Sequence, residues 1–166
     1  MSFWLSFFMQ IAAVAFVFVF SIFVHELGHA VMGRLSGMSV TSFGVGNNRP
    51  FLQWRWWGIR VYLCRNLWWG GLTYYLTPTL FGSRTARILT LAGGLTFNMA
   101  FALVGAFAWW FFPSLRAVTG FVVVFNLLLF FTASLPYKVK LAGGVLLSDG
   151  AQIITQLKGK LPDIST

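Results

Sequence analysis

The sequence predicts a mainly α, polytopic membrane protein: a three-transmembrane-helix core with a short membrane-associated β-structure between helices one and two. Three observations predict it. The 166 residues are 58% hydrophobic, 19% aromatic and only 9% charged, far less charge than a water-exposed surface requires. Three apolar runs approach or exceed the roughly 20 helical residues that a bilayer core demands. The basic residues fall between and after these runs, where they act as anchors at one membrane face.

The first span covers about residues 3–24 and continues helically through HELGHAVMGR, to about residue 34. Gln10 and a few serines are its only polar members before His25. It is not expected to be a cleavable signal peptide, because it lacks a basic n-region and the apolar run carries straight on into HELGH. Residues 35–83 change character: Gly, Ser, Thr, Asn, Arg and Trp dominate. IRVYLCR alternates as a strand does, with Ile59, Val61 and Leu63 on one side and Arg60, Tyr62 and Cys64 on the other. SVTSFGVG suggests a second strand, and Gly58 and Gly70-Gly71 suggest turns. Five of the eight tryptophans lie here, a composition suited to the headgroup level, so residues 38–75 are expected to form an interfacial β-structure.

The second span is expected over about 87–112, broken by Pro113, and the third over about 118–135. Residues 141–157 are too short and polar for a fourth span and read as a broken continuation of the third helix or a partly inserted helix. The whole chain, 1–166, is read as one domain.

Charge sets the orientation. Arg34, Arg49, Arg55, Arg60, Arg65, Arg84 and Arg87 lie between spans one and two, Arg116 alone between spans two and three, and Lys138, Lys140, Lys158 and Lys160 after span three. The positive-inside rule places the N-terminus outside, and residues 35–83 and the C-terminus in the cytoplasm. Trp4, Trp109 and Trp110 then gather at the outer interface. The net charge of +9 raises nucleic-acid binding, but the basic residues form no soluble module. The lipid bilayer is the expected partner, and no nucleic acid. The single cysteine, Cys64, excludes an internal disulfide.

The ionisable inventory is short. Both histidines of the chain, His25 and His29, lie in HELGH, and the three acids are Glu26, Asp149 and Asp163. Residues four apart share a helix face, so His25 and His29 can hold one zinc ion. Glu26, rotated off that face, can reach the metal-bound water as general base. Left without a partner, such a cluster costs several kcal/mol in a bilayer; zinc supplies the compensation. From Glu26 to Arg34 the helix rises roughly 12 Å, so the motif sits below the cytoplasmic surface within reach of water. A catalytic zinc needs a third protein ligand. Asp163 lies in the polar tail LPDIST, which leaves Asp149 in SDGAQI as the candidate. The alternative for Asp149 is a helix N-cap or turn. Asn98 and Asn126 lie inside spans; from the residues alone, hydrogen bonding between helices is favoured over contact with a substrate backbone near the metal. Gly93 and Gly94 suit close helix packing.

In this pattern the chain resembles the site-2 protease family of intramembrane zinc metalloproteases, over nearly its whole length and in order. HELGHAVMGRLSGMSVTSFGVG resembles the first family motif, an HExGH helix followed by a strand ending in Gly-x-Gly. WWGGLTYY resembles its Gly-Gly loop. LAGGLTFNMA resembles its Ala-Gly-Pro-x-x-Asn region, with Gly94 in place of proline and Asn98 at the asparagine. FNLLLFFTASLP followed by LLSDGAQI resembles the third core helix and its Asp-Gly motif. The resemblance implies a three-helix core and one Zn2+ per chain, held by His25, His29 and Asp149. It makes Glu26 the catalytic base and Asn98 a candidate substrate-binding residue. The implied activity is that of a zinc metalloendopeptidase hydrolysing a peptide bond in or near a transmembrane segment of a protein or peptide substrate. Two departures stand out: Ala133-Ser134-Leu135-Pro136 lacks the asparagine often found there, and the interval from Pro136 to Asp149 is longer than in the compact Pro-x-Leu-Asp-Gly form. Without PDZ or CBS modules the chain reads as close to a minimal core, and its compactness suggests a prokaryotic cell membrane. The alternative is a non-proteolytic zinc-binding membrane adaptor or chaperone of the same fold, which has no need of Glu26. A metal transporter ranks last, because the outer halves of the spans lack ionisable groups.

Overall fold

The computed structural model describes residues 3–75, 83–141 and 144–159. Lys160 and Asp163 lie outside the described residues.

Helix α1, Phe3–Leu35, holds the expected first span and the HELGH motif in one continuous rod. It ends where the sequence turns to Ser36-Gly37. Gly37 takes φ +78°, its N–H bonds to Arg34 O, and Met38 N–H bonds to Gly33 O at 2.8 Å. This is the left-handed glycine stop that satisfies the last helical carbonyls.

Two strands follow, β1 (Val40–Trp56) and β2 (Ile59–Tyr75), each much longer than the alternating motifs suggested. Trp57 and Gly58 join them with φ of 54° and 74°, the left-handed pair that a two-residue hairpin turn requires. Gly58 is thus a turn residue as expected. Gly70-Gly71 is not: Gly70, φ +89°, bends β2 within its length. β1 bends likewise at Gly46 and Asn48, φ 85° and 84°. Because both strands fold back, they pair twice. Residues 71–75 run antiparallel beside 40–45, and 52–56 run antiparallel beside 59–63. Ser42 to Val45 also face Arg60 to Leu63 with the partners advancing together, so this innermost pair runs parallel. The result is four rows in the order 71–75, 40–45, 59–64, 52–56. Gly44 permits the inner contact, since a Cβ there would strike Tyr62 O.

Phe43, Val45 and Val61 are fully buried. With Val40 and Ile59, Phe43 and Val61 pack around Ala30 and against Phe23 and Leu27 of α1. Fixing the sheet to the last third of α1 in this way is worth about 1.5–3 kcal/mol per large side chain buried. Arg34 Nη1 donates to Trp57 O at 2.6 Å, tying the hairpin tip to the end of the helix.

Helix α2, Arg84–Phe111, starts on Ser83, whose Oγ accepts from Ala86 N at 3.1 Å; such a cap contributes about 1 kcal/mol. It crosses α1 at Gly28 and Gly93, and a Cβ on either would strike the backbone carbonyl of the other. Small residues let two helices approach this closely. The Phe20 ring packs against Phe101, tilted at 58°, so α2 runs back along α1, and Trp4, Trp109 and Trp110, all exposed, share the end remote from the sheet. There Arg116 sits over the Trp109 ring, 5.1 Å from its centroid. After a 3-10 turn at Pro113–Leu115, helix α3, Arg116–Ser134, returns beside α1. Asn126 Nδ2 donates to Ser21 Oγ at 2.9 Å and to Val122 O, an interhelical clamp of the kind expected for this residue. All three helices are long and apolar enough to cross a membrane, and their outer faces present Phe16, Leu103, Phe107 and Phe131 unburied.

Residues 141–157, expected as a broken continuation of the third helix or a partly inserted helix, are helical, among the described residues, only in their second half. Lys138–Leu141 (β3) and Gly144–Leu147 (β4) pair antiparallel, and the chain then forms α4, Asp149–Leu157. Pro136 removes a donor and turns the chain, and Val139, Val145 and Leu146 suit a strand better than a short polar helix. At nine residues, or about 13 Å, α4 is too short to cross a bilayer.

Candidate metal and catalytic centre

His25 and His29 project from one face of α1. Their rings lie edge to face, 4.7 Å between centroids, with Nε2 atoms 3.1 Å apart. Asp149 Oδ2 completes the group, 3.0 Å from His25 Nε2 and 3.3 Å from His29 Nε2. All three ligand atoms lie within 4.8 Å of one another, and this is the group among the described residues that can hold a metal ion. Gly94 of α2 makes room for it: a Cβ there would strike both imidazoles. Gly93 is a packing glycine as expected, but Gly94 serves the site as well.

Asp149 arrives from far along the chain, and α4 is secured at both ends to bring it there. Ser148, not Asp149, is the N-cap; its Oγ accepts from Ala151 N and donates to Leu135 O at 2.6 Å. The Asp149 carboxylate is therefore not spent on capping. Gly150 lies against Ser134 at the end of α3, and a Cβ would strike the Ser134 carbonyl. At the other end Arg84 donates to Leu157 O and Arg87 Nε donates to Gln156 Oε1 at 3.0 Å. Cations at a helix C-terminus are favourable in their own right. Burial pushes the Asp149 carboxyl pKa up, but the adjacent His25 and His29 rings outweigh it and hold the group well below the usual carboxylate range. The ligand is thus an anion at neutral pH.

Glu26 is buried and borders the same cavity of about 540 Å³ as His25, His29 and Asp149. Thr73 Oγ1 donates to Glu26 Oε2 at 2.6 Å and approaches Glu26 O at 3.3 Å. Gly71 lies directly against the carboxylate, where a Cβ would strike Cγ and Oε1. The outermost row of the sheet therefore runs past the Glu26 carboxylate, and Gly70 to Thr73 form one wall of the cavity. Leu129, Tyr137 and Leu147 face it from the other side. His29 Nδ1 lies 2.9 Å from Thr90 O. Asn98, the candidate substrate contact, does not border this cavity: its amide Nδ2 lies 3.1 Å from His25 Nδ1.

A metal fits this donor set. His29 Nδ1 can only donate to a carbonyl, which leaves Nε2 with its lone pair toward the shared point. The buried Asn98 Oδ1, without a hydrogen-bond partner, is an acceptor available to the His25 ring. Two imidazoles and one carboxylate are a catalytic zinc set, three protein ligands with a position left open.

A model of peptidase family M50 matches residues 13–164. The chain belongs to peptidase family M50, the site-2 protease family. M50 proteins are membrane-embedded zinc metalloproteases, which agrees with the three apolar helices and the His25, His29 and Asp149 group; the chain is a multi-pass membrane protein. No individually curated protein matches it. Within the M50 frame, Thr73, Thr90, Ser148, Arg84, Arg87 and Gln156 are residues of the site that reading the sequence missed. Only Thr73 carried a signal, its place two residues after the Gly-Gly pair.

Proposed function

We propose that this chain is an intramembrane zinc endopeptidase that cleaves a peptide bond in or near a transmembrane segment, with Glu26 as its base. The observation that carries the reading is the convergence of His25, His29 and Asp149 beside Glu26 in one cavity. His25 Nε2, His29 Nε2 and Asp149 Oδ2 would hold the metal. When bound, zinc supplies Lewis acidity, polarising a carbonyl and bringing the pKa of a water near neutrality.

The protein's own groups do the rest. Thr73 engages Glu26 Oε2 and fixes the carboxylate, so Oε1 takes the proton of the attacking water and returns it to the leaving amine. A helical substrate must unwind to be cut, because its backbone is fully hydrogen-bonded. The row 71–75 pairs with 40–45 on one side and borders the cavity on the other, so an unwound segment can add to it as a strand. The interior row 59–64 cannot serve, having partners on both sides. Substrate peptides methylated at alternate backbone nitrogens test this: KM rises for one alternation if the segment pairs, and for neither if it does not.

The sheet and α4 lie in the cytoplasm and the N-terminus outside, on the strength of the arginines around the sheet and the tryptophans at the far end. A membrane-impermeant thiol reagent should label a cysteine placed at residue 2, and not one at residue 58, in intact cells.

The test of the activity is zinc content and cleavage of a transmembrane substrate by wild type, Glu26→Gln and Asp149→Ala. We expect one zinc and cleavage in wild type, zinc without cleavage in Glu26→Gln, and neither in Asp149→Ala. Chelation should abolish wild-type cleavage and zinc restore it. A wild type that holds zinc but cleaves no native membrane substrate points to an adaptor, and a wild type that takes up no zinc overturns the site.

A further inference from the structure

The two histidines are held differently on the side away from the metal position. His29 Nδ1 faces the carbonyl of Thr90 at 2.9 Å. A carbonyl only accepts, so His29 carries its proton on Nδ1 at all times. His25 Nδ1 faces a carboxamide, the Asn98 side chain on α2, with Nδ2 at 3.1 Å. Asn98 is fully buried, and its Oδ1 has no hydrogen-bond partner.

These facts fit together. With Asn98 Nδ2 donating, His25 Nδ1 is the acceptor and the ring proton sits on Nε2. From there it is directed at Asp149 Oδ2, 3.0 Å away. A nitrogen that ligates a metal carries no proton, so ligation through Nε2 moves the proton of the neutral ring to Nδ1, which then needs an acceptor. The unpartnered Oδ1 supplies one: a half-turn of the terminal amide torsion exchanges oxygen and nitrogen in nearly the same volume.

We propose that Asn98 is a positioning residue for His25 that holds the ring in both of its tautomers, donating through Nδ2 without metal and accepting through Oδ1 with metal. The inference rests on the zinc reading above. It differs from a substrate contact, which has to reach the cavity, and from a packing role, which leaves the ring nitrogen without a specific partner. A carbonyl such as Thr90 O fixes one tautomer; a carboxamide serves both, so the ring stays oriented before zinc arrives.

The experiment is zinc affinity, by competition with a chromogenic chelator, for wild type, Asn98→Ala, Asn98→Asp and Asn126→Ala. Asn126 is an equally buried asparagine whose Oδ1 also lacks a partner, and it serves α1 and α3 instead. Asn98→Ala should weaken zinc binding ~10–100-fold, the usual effect of losing a partner behind a ligand histidine. Asn98→Asp, an acceptor by nature, should recover most of it, and Asn126→Ala should bind as wild type. Nitrogen-15 NMR of labelled histidine gives the second readout. In wild type, His25 Nδ1 should change from lone pair to N–H on zinc addition, while His29 Nδ1 stays N–H throughout. Wild-type affinity in a folded Asn98→Ala, an equal loss in Asn126→Ala, or a His25 Nδ1 already protonated before zinc each overturns the inference. None of these touches the zinc reading, which fails only if wild type itself takes up no metal.

Discussion

The two halves of the candidate metal centre are built in opposite ways. His25, Glu26 and His29 stand on one helix, and their spacing is set by the helical repeat within five residues. Asp149 stands on a nine-residue helix near the chain's end, and its place is set by contacts to two other helices. The first half is geometry; the second is tethering. A site made this way is robust on one side and adjustable on the other, and perturbations of the two halves should have different signatures.

Gly28→Val should have the largest effect. Its side chain enters the Gly93 carbonyl at the α1–α2 crossing, where backbone meets backbone and neither can yield. Overpacking of this kind costs about 1–3 kcal/mol or more, and it separates the histidine helix from Gly94 and Asn98. We expect a lowered unfolding temperature and loss of bound zinc together. Gly150→Ala should split those readouts. Its Cβ meets Ser134 O and pushes α4 alone, so zinc binding should fall by about 100-fold, a distortion of the order of 3 kcal/mol, while the unfolding temperature of the bundle stays near wild type. Were both glycines to lower stability and zinc binding in step, the distinction between the halves would collapse.

Two smaller changes sharpen the comparison. Thr73→Val removes the donor to Glu26 Oε2. A hydrogen bond to a charged group is worth about 1.5–3 kcal/mol, so kcat should fall roughly 10-fold or more, with zinc content and KM unchanged and Thr73→Ser largely restoring it. Gln156→Ala removes the Arg87 tether. Zinc dissociation, measured in excess chelator, should accelerate by only a few-fold, since the Arg84 contact to Leu157 O still holds the end of α4.

What could be read from the sequence follows the same division. The histidine half was visible because its information is local: two residues four apart on an apolar helix leave little else for the pattern to mean. The three helices were visible for the same reason, and α1 and α2 fell within a few residues of their expected bounds. Asp149 was reached only by elimination among three acids and by resemblance, because a short polar segment carries no periodicity that says what it will touch. The double pairing of β1 and β2 was hidden. Alternation in IRVYLCR reports a strand but not how many neighbours it has, and a left-handed bend such as that at Gly70 looks like a turn when read alone. Asn98 reads from the residues alone as an interhelical hydrogen bond, which it makes to His25 of α1, and from the resemblance as a substrate contact, though it does not border the cavity. A polar residue inside a span looks the same in sequence whether it faces a substrate, a helix or the back of a ligand.

The β3–β4 hairpin also settles what the long interval between Pro136 and Asp149 signifies. Ser148 N–H bonds to Tyr137 O at 3.1 Å, and Tyr137 N–H returns to Ser148 Oγ at 3.1 Å. These two bonds close the base of the hairpin, so chain that leaves at Tyr137 is back beside it at Ser148. Measured through space, the interval is therefore short: Tyr137 and Ser148 stand side by side although ten residues separate them in sequence. Spacing along the chain is therefore a poor ruler for this part of the molecule. An excised version that joins Tyr137 to Ser148 through a tight turn should keep its zinc and change only the cavity wall that Leu146 and Leu147 supply.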